Sequence, residues 1–210
     1  MSGFTCESVK NIVFELMKEK ELEGKIYVAG GIVPWVVSGN DSKRKHSDVD
    51  LVVALEDMPI IREYVKKKGL YNKDFDSMYL EINKSNEDYG LEVFINDIPV
   101  NFAPFIIEDG NIVQKNFSIK QLVGYDALMK ATMEGVNVKD YIIQGTVIQG
   151  DYIGMYPLEM VKAAKESSDR EKDRMDILEI DKLGIDAERY ERIKEAVHNM
   201  KLDVIPNMMG

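Results

Sequence analysis

Residues 28–53 read VAGGIVPWVVSGNDSKRKHSDVDLVV. The stretch opens with an apolar run that ends in Gly30-Gly31 and closes with Ser47-Asp48-Val49-Asp50 running into Leu51-Val52-Val53. Two carboxylates separated by one residue in an extended apolar run point to the same side of a strand, because side chains alternate with period two. Placing like charges side by side on a buried strand costs free energy unless a cation lies between them. A divalent metal is the usual cation, and Mg²⁺ binds through one or two carboxylates plus substrate phosphates. A solvated turn with surface aspartates does not account for Leu51-Val52-Val53-Ala54-Leu55, which puts the pair at the head of a buried strand.

The glycine pair fits the same chemistry. A strand that ends in Gly-Gly and turns into a helix lets the backbone approach a ligand, and the helix N-terminus then offers free N–H groups to a phosphate. One loop could thus hold phosphates while the next strand holds metal, which is the equipment of phosphoryl or nucleotidyl transfer.

The combination of Gly30-Gly31, a sixteen-residue spacer and Asp48-Val49-Asp50-Leu51 resembles the signature of the nucleotidyltransferase superfamily with the polymerase-beta-like fold. The long spacer and the lead-in Arg44-Lys45-His46-Ser47 are similar to the lincosamide-type nucleotidyltransferases and a related bacterial toxin group. The resemblance implies an α+β fold, a small mixed β-sheet flanked by helices, with a C-terminal helical elaboration. It covers about residues 25–105 and 157–184. It also implies that Gly30, Gly31, Ser47 and Arg44 meet the nucleotide, and that Asp48 and Asp50 hold Mg²⁺ or Mn²⁺. The triphosphate would then be the donor substrate.

Composition sets outer bounds. A chain of 210 residues, 45% hydrophobic and 30% charged, fits one domain with an elaboration or two small ones. The expected division is 1–118, a core with an N-terminal helix, and 119–210, strands and helices beside the site. The segment MSGFTCESVKN carries no signal-peptide pattern and no apolar run approaches a membrane span, so a cytoplasmic location is the default expectation. Cys6 is the only cysteine, which excludes disulfides and thiolate zinc sites within the chain. A net charge of −10 makes bulk nucleic acid a poor partner, despite the basic run Lys43-Arg44-Lys45-His46. Expected partners are a nucleoside triphosphate and a hydroxyl acceptor of unknown identity; a homodimer is left open.

Residues 88–105, DYGLEVFINDIPVNFAPF, form the second informative stretch. Two apolar runs flank Asn96-Asp97, which reads as a hairpin turn. That turn pairs Ile95 with Ile98, Phe94 with Pro99, Val93 with Val100 and Glu92 with Asn101. The resemblance implies a third carboxylate on the second of these strands, as metal ligand or as base toward the acceptor. Val100 to Phe105 matches that context but has Asn101 where Asp is expected. Asn is a weaker metal ligand and a useless proton acceptor. Two readings stand. Either Glu92, directly across from Asn101 with Cβ atoms about 5 Å apart, restores the charge as ligand or base, or Glu92 is a surface residue on an edge strand. The second reading makes the chain a catalytically impaired nucleotide-binding or interaction module.

The remaining elements follow from spacing. A helix is predicted over Ser8–Glu23, strands over Lys25–Ala29 and Asp48–Leu55, and helices over Ile32–Ser38 and Asp57–Gly69. Trp35 is expected in the core. A short helix near Ile119–Gly124 is followed by strands to Met155, with a turn at Gly150-Asp151. From Pro157, at an N1-like position, Leu158, Val161 and Ala164, then Met175, Ile177, Leu178 and Leu183, mark two helices. This pair also resembles the C-terminal helices of the lincosamide-type group, which implies a phosphate-facing lysine, Lys162 before Lys165. Lys165, Lys172, Asp173 and Asp176 otherwise read as solvated or intramolecular ion pairs. A last helix spans Asp186–Met200, and residues 206–210 read as a frayed tail.

Overall fold

The computed structural model describes residues 3–206. In chain order it contains α1 (Cys6–Met17), β1 (Ile26–Ala29), α2 (Val33–Ser38), β2 (Val49–Ala54), α3 (Met58–Lys67), β3 (Leu91–Ile95), β4 (Ile98–Glu108) and β5 (Asn111–Ser118). There follow α4 (Lys120–Val123), β6 (Ala127–Met133), α5 (Val138–Tyr141), β7 (Ile143–Ile148), β8 (Asp151–Met155), α6 (Leu158–Glu166), α7 (Glu171–Leu183), α8 (Ala187–His198) and β9 (Lys201–Ile205).

All nine strands join one mixed sheet in the order β7-β8-β1-β2-β4-β5-β6-β9, with β3 paired to β4. β2 runs parallel to β4 and antiparallel to β1. The hairpin register is the one expected: Glu92 faces Asn101 and Ile95 faces Ile98. Asn96 and Asp97 both take positive φ, 51° and 63°, a turn geometry that Asn and Asp tolerate and that matches strand twist. β4 is long enough to pair β3 up to Phe102 and β5 from Phe105 onward.

One face of this sheet packs under α1 and α3. Val49, Leu51 and Val53 of β2 are fully buried, and they share a cluster with Val9, Ile12, Val13 and Leu16 of α1 and Ile61 and Val65 of α3. Alternation along β2 then sends Asp50 to the opposite face. None of the described helices is long and apolar enough to cross a membrane.

At three points the structure departs from the sequence reading or adds to it. The first helix ends at Met17, not Glu23, because Lys18-Glu19-Lys20-Glu21 offers no apolar face to bury. The segment after α8, left unassigned by the sequence, is β9: Lys201–Ile205 pairs antiparallel with β6. Asn207–Gly210 lie outside the described residues. In α7 the buried face is Asp173, Asp176, Glu179 and Ile180, while Leu178 is 61% exposed. The spacing of Met175, Ile177, Leu178 and Leu183 marks the helix but not its inward side, which is acidic because Asp173 and Asp176 find partners there.

Candidate active site

Gly30 ends β1 with φ +68°, and a Cβ placed on it would sit 2.2 Å from Asp50 Oδ2. The glycine is thus required twice, for its backbone conformation and for the approach of a carboxylate. Ala29 is the register partner of Asp50, so β1 delivers the glycine loop directly beside it. A Cβ on Gly31 would meet Arg44 Nη2 at 2.2 Å and Asp176 Oδ2 at 2.8 Å. Both glycines are therefore places where charged side chains lie against bare backbone.

The loop leading to β2 is held at three points. Phe4 N donates to His46 O (2.7 Å), and His46 N donates to Phe4 O (2.9 Å). Arg44 donates from Nε and Nη2 to the two oxygens of Asp176, 2.9 Å each, and from Nη2 to Gly31 O at 3.1 Å. Ser47 Oγ donates to Asp48 Oδ1 at 2.9 Å. The fork geometry lets one guanidinium tie the glycine loop, the aspartate loop and α7 together.

These parts line a cleft of about 300 Å³. Its sheet side carries Gly30, Gly31, Ser47, Asp48 and Asp50; its helix side carries Val161, Ala164, Lys165, Arg170 and Lys172. Lys162 lies outside it, a correction to the sequence reading. Its Nζ pairs with Asp181 at 2.6 Å and sits 5.3 Å over the Tyr190 ring. The reason is helical geometry: Lys165 is four residues after Val161 and shares its face, whereas Lys162 is turned about 100° away.

The acidic face of α7 anchors this wall. Asp176 is fully buried and accepts from Arg44, from Trp35 Nε1 (2.7 Å) and from Lys165 (2.9 Å). Asp173 is fully buried and accepts from Lys165, Ser168 (2.6 Å) and Arg170 (2.6 Å). Burial alone would raise the Asp173 carboxyl, but these hydrogen bonds outweigh it and hold it well below the ordinary carboxylate range. The two aspartates are thus buried structural hubs, not solvated pairs. Trp35 is in the core as expected, with its N–H used. Among the described residues, Lys172 has no carboxylate within ion-pair distance, while Arg44, Lys165 and Arg170 are all neutralised.

Across β2, β4 and β3, Asp50, Asn101 and Glu92 form one cross-strand row. Burial first and then Asp48 push the Asp50 carboxyl up to about 7. Burial, then Asp48 and Asp50, push Glu92 up to about 7. Burial and the Arg44 charge push the His46 imidazole down to about 4, and its Nε2 has no hydrogen-bond partner among the described residues. Asn101 Nδ2 donates to Asn116 Oδ1 at 3.1 Å. Asn101 Oδ1 and Glu92 Oε1 are buried without partners. Such a set of acceptor oxygens suits a hard cation. Among the described residues no three His, Cys, Asp or Glu side chains stand in a closed metal-binding group, so Asp48, Asp50 and Glu92 do not form the three-carboxylate cage expected. Mutual repulsion of three carboxylates opposes such a cage, and Asp48 is drawn toward Ser47.

No protein-family model matches the chain, and no curated protein matches it. Solved structures do. The antibiotic-resistance factor ANT(2'')-Ia in solution aligns with a TM-score of 0.56 at 16% identity, over 91% of this chain and 92% of that one. The lincosamide antibiotic adenylyltransferase LnuA, lincomycin-bound, aligns with 0.54 at 14% identity, over 87% and 100%. ANT(2'')-Ia in complex with adenylyl-2''-tobramycin aligns with 0.54 at 18% identity, over 91% and 97%. The chain has the nucleotidyltransferase fold. At these identities the likeness is one of architecture. Within the nucleotidyltransferase fold, sequence reading located the Gly30–Gly31 loop, Asp48, Asp50 and the Glu92–Asn101 pair. It read Lys172 as an ion-pair residue, did not single out Arg170, and gave second place to Lys165, all three of which line the cleft. Spacing from Val161 could have favoured Lys165; nothing local marks Lys172.

Proposed function

We propose that this protein is a metal-dependent nucleotidyltransferase that moves a nucleoside monophosphate from a triphosphate to a hydroxyl on a small molecule. The observation that carries the reading is the two-sided cleft: Asp48 and Asp50 on the sheet, Lys165, Arg170 and Lys172 on the helices, joined by Gly30–Gly31. Anionic phosphates suit the helix side, and the exposed glycine backbone lets them lie close to Asp50. Lys172, with no carboxylate partner among the described residues, is the cation best placed to neutralise the phosphates, in place of Lys162.

A divalent cation held by Asp48, Asp50 and phosphate oxygens would offset the charge that builds on the α-phosphate and on the departing pyrophosphate. The residues fit such a cation, since the Asp50 carboxyl is destabilised by its surroundings when ionised. Arg44 acts indirectly: saturated by Asp176 and Gly31 O, it fixes the loop that carries Ser47 and Asp48. The acceptor oxygen attacks the α-phosphorus as its proton passes to water, the bond from the α-phosphorus to the α,β-bridging oxygen breaks, and pyrophosphate leaves past Lys172. Small hydroxylated acceptors are favoured because the structural neighbours are named with lincomycin and a tobramycin adduct, and because a net charge of −10 disfavours bulk nucleic acid.

A second reading, a nucleotide-binding module without turnover, is favoured only by Asn101. Thermal-shift titration with ATP, GTP, CTP and UTP, with and without Mg²⁺, separates the two. Stabilisation that needs both metal and triphosphate supports the transferase; metal-independent stabilisation supports the module; no shift with any nucleotide removes both.

A further inference from the structure

We infer that the open edge of β7 is a self-pairing surface, on which a second copy of this chain adds its own β7 antiparallel, about a two-fold axis at Val147. No residue of β7 lines the cleft, so this surface is separate from the site.

The sheet path ends on β7 and β9. An end strand presents unpaired N–H and C=O groups that invite another chain unless charges or a proline guard it. β9 is guarded: KLDVI carries Lys201 and Asp203, and Pro206 follows it. β7 reads IQGTVI, with neither charge nor proline, in a chain that is 30% charged. The turn after β7 fixes which of its groups are free. Gln149 and Gly150 take positive φ, 52° and 90°, and Ile148 pairs with Asp151 across them. In such a two-residue hairpin the pair next to the turn exchanges both hydrogen bonds, so the following pair, Val147 and Tyr152, exchanges none. The N–H and C=O of Val147 therefore face the open edge. An irregularity between Ile143 and Thr146, with Gly145 at φ +68°, bends the first half of β7, so the free seam centres on residues 146–148.

The side chains along this seam are apolar and wet. Val147 is 61% exposed and its cross-strand neighbour Tyr152 is 70% exposed. The Tyr152 ring already leans over β7: a Cβ on Gly145 would sit 2.3 Å from its Cε1. Two-fold pairing lets Val147 of each copy exchange both backbone bonds, and it sets the two Val147 side chains between the two Tyr152 rings in one row. A strand from another protein would have to bring a matching pair, whereas a second copy carries it by symmetry. Charge favours the same occupant. Each copy has a net charge of −10, so contact needs a seam without like charges, and β7 supplies one. Antiparallel pairing also brings the α5 end of one β7, with exposed Lys139, toward the turn end of the other, where Asp151 starts β8.

The test is analytical ultracentrifugation of the full chain from about 1 to 200 µM, beside Val147→Lys and the β9 control Leu202→Lys, with thermal midpoints recorded for each. Wild type should pass from 23.9 kDa to twice that mass as concentration rises. Val147→Lys should weaken association about tenfold or more, and Leu202→Lys should associate like wild type. Should Val147→Lys fail to fold, Val147→Cys reads the same contact. Cys6 is buried, so the new thiol is the only exposed one. Copper phenanthroline should then oxidise it to a disulfide between two copies, whose paired Cα atoms would lie about 5.5 Å apart. Wild type that stays monomeric throughout overturns the inference and leaves the edge to another protein's strand. A dimer that Val147→Lys leaves intact, or that Leu202→Lys breaks, places the contact elsewhere and overturns it too. Open-ended growth in place of a closed dimer does the same.

Discussion

Asp50 sits where two demands conflict. It is half-buried against Gly30, and on the proposed function it must be ionised to hold a cation. Its folded carboxyl titrates near about 7, against an ordinary value of 3.8, so the folded state holds the proton more tightly than the unfolded chain. The contribution to stability is then fully present below about pH 4 and lost as pH rises through about 7, on the order of 2–4 kcal/mol. Glu92 works in the same direction. His46 works in the opposite direction between about 4 and 6.5, since its folded imidazole is harder to protonate. Comparing wild type with Asp50→Asn cancels the His46 part. In EDTA, urea midpoints should fall from pH 5 to 8 in wild type and fall less in Asp50→Asn, which is the more stable protein at pH 8. The same variant should lose the Mg²⁺-dependent nucleotide shift. Equal slopes for both proteins would show that Asp50 is not the strained group. Gly30→Ala is a sharper probe. Its Cβ would meet Asp50 Oδ2 at 2.2 Å with φ held at +68°. A loss of about 1–3 kcal/mol in stability, together with loss of metal-dependent nucleotide binding, is expected; a neutral result would mean that the glycine loop is not pressed against the carboxylate.

Among elements, α6 and α7 decide how the cleft binds. The sequence shows their apolar positions, and Val161 does line the cleft, but the inward side of α7 is acidic because its partners come from far away in the chain. Trp35 lies 141 residues from Asp176 and Arg44 lies 132. No local pattern announces such pairings, so a periodicity argument sees surface charge where a hub is built. The β3–β4 hairpin is the reverse case. Its register depends on a two-residue turn and on alternation, both local, and was readable residue by residue. Two predictions belong to this scale. Lys172→Ala should raise the apparent KM or Kd for the triphosphate about tenfold, while Lys162→Ala leaves it unchanged. A larger effect from Lys162 would mean that α6 turns differently. Asp176→Asn should destabilise the protein by about 3 kcal/mol, because it leaves Arg44 and Lys165 short of a buried counter-charge. Urea unfolding measures it, and a loss below about 1 kcal/mol would show the hub to be solvated after all.

At the scale of the whole molecule, the sheet separates chemistry from closure. The site occupies β1, β2, β4 and β3, while β5, β6 and β9 extend the same sheet away from it. The central strands were legible because their residues combine buried apolar runs with the glycines and carboxylates of the site. β9 was not legible: KLDVI follows an amphipathic helix, has only five residues, and gains its place by pairing Lys201–Ile205 with Leu128–Thr132 some seventy residues earlier. β9 protects the edge of β6, which would otherwise present an unpaired row of N–H and C=O groups. Its apolar residues Leu202 and Ile205 are 47% and 48% exposed, so it adds little core. A chain ending at Met200 should therefore keep the Mg²⁺-dependent nucleotide shift with the wild-type midpoint for nucleotide concentration. Its thermal midpoint should fall by about 5 °C and it should aggregate more readily on heating, because β6 becomes the open edge. Calorimetry and light scattering on the same sample measure both. If the truncated chain instead loses nucleotide binding while remaining folded, the far end of the sheet is coupled to Asp50, and the separation of closure from chemistry is wrong.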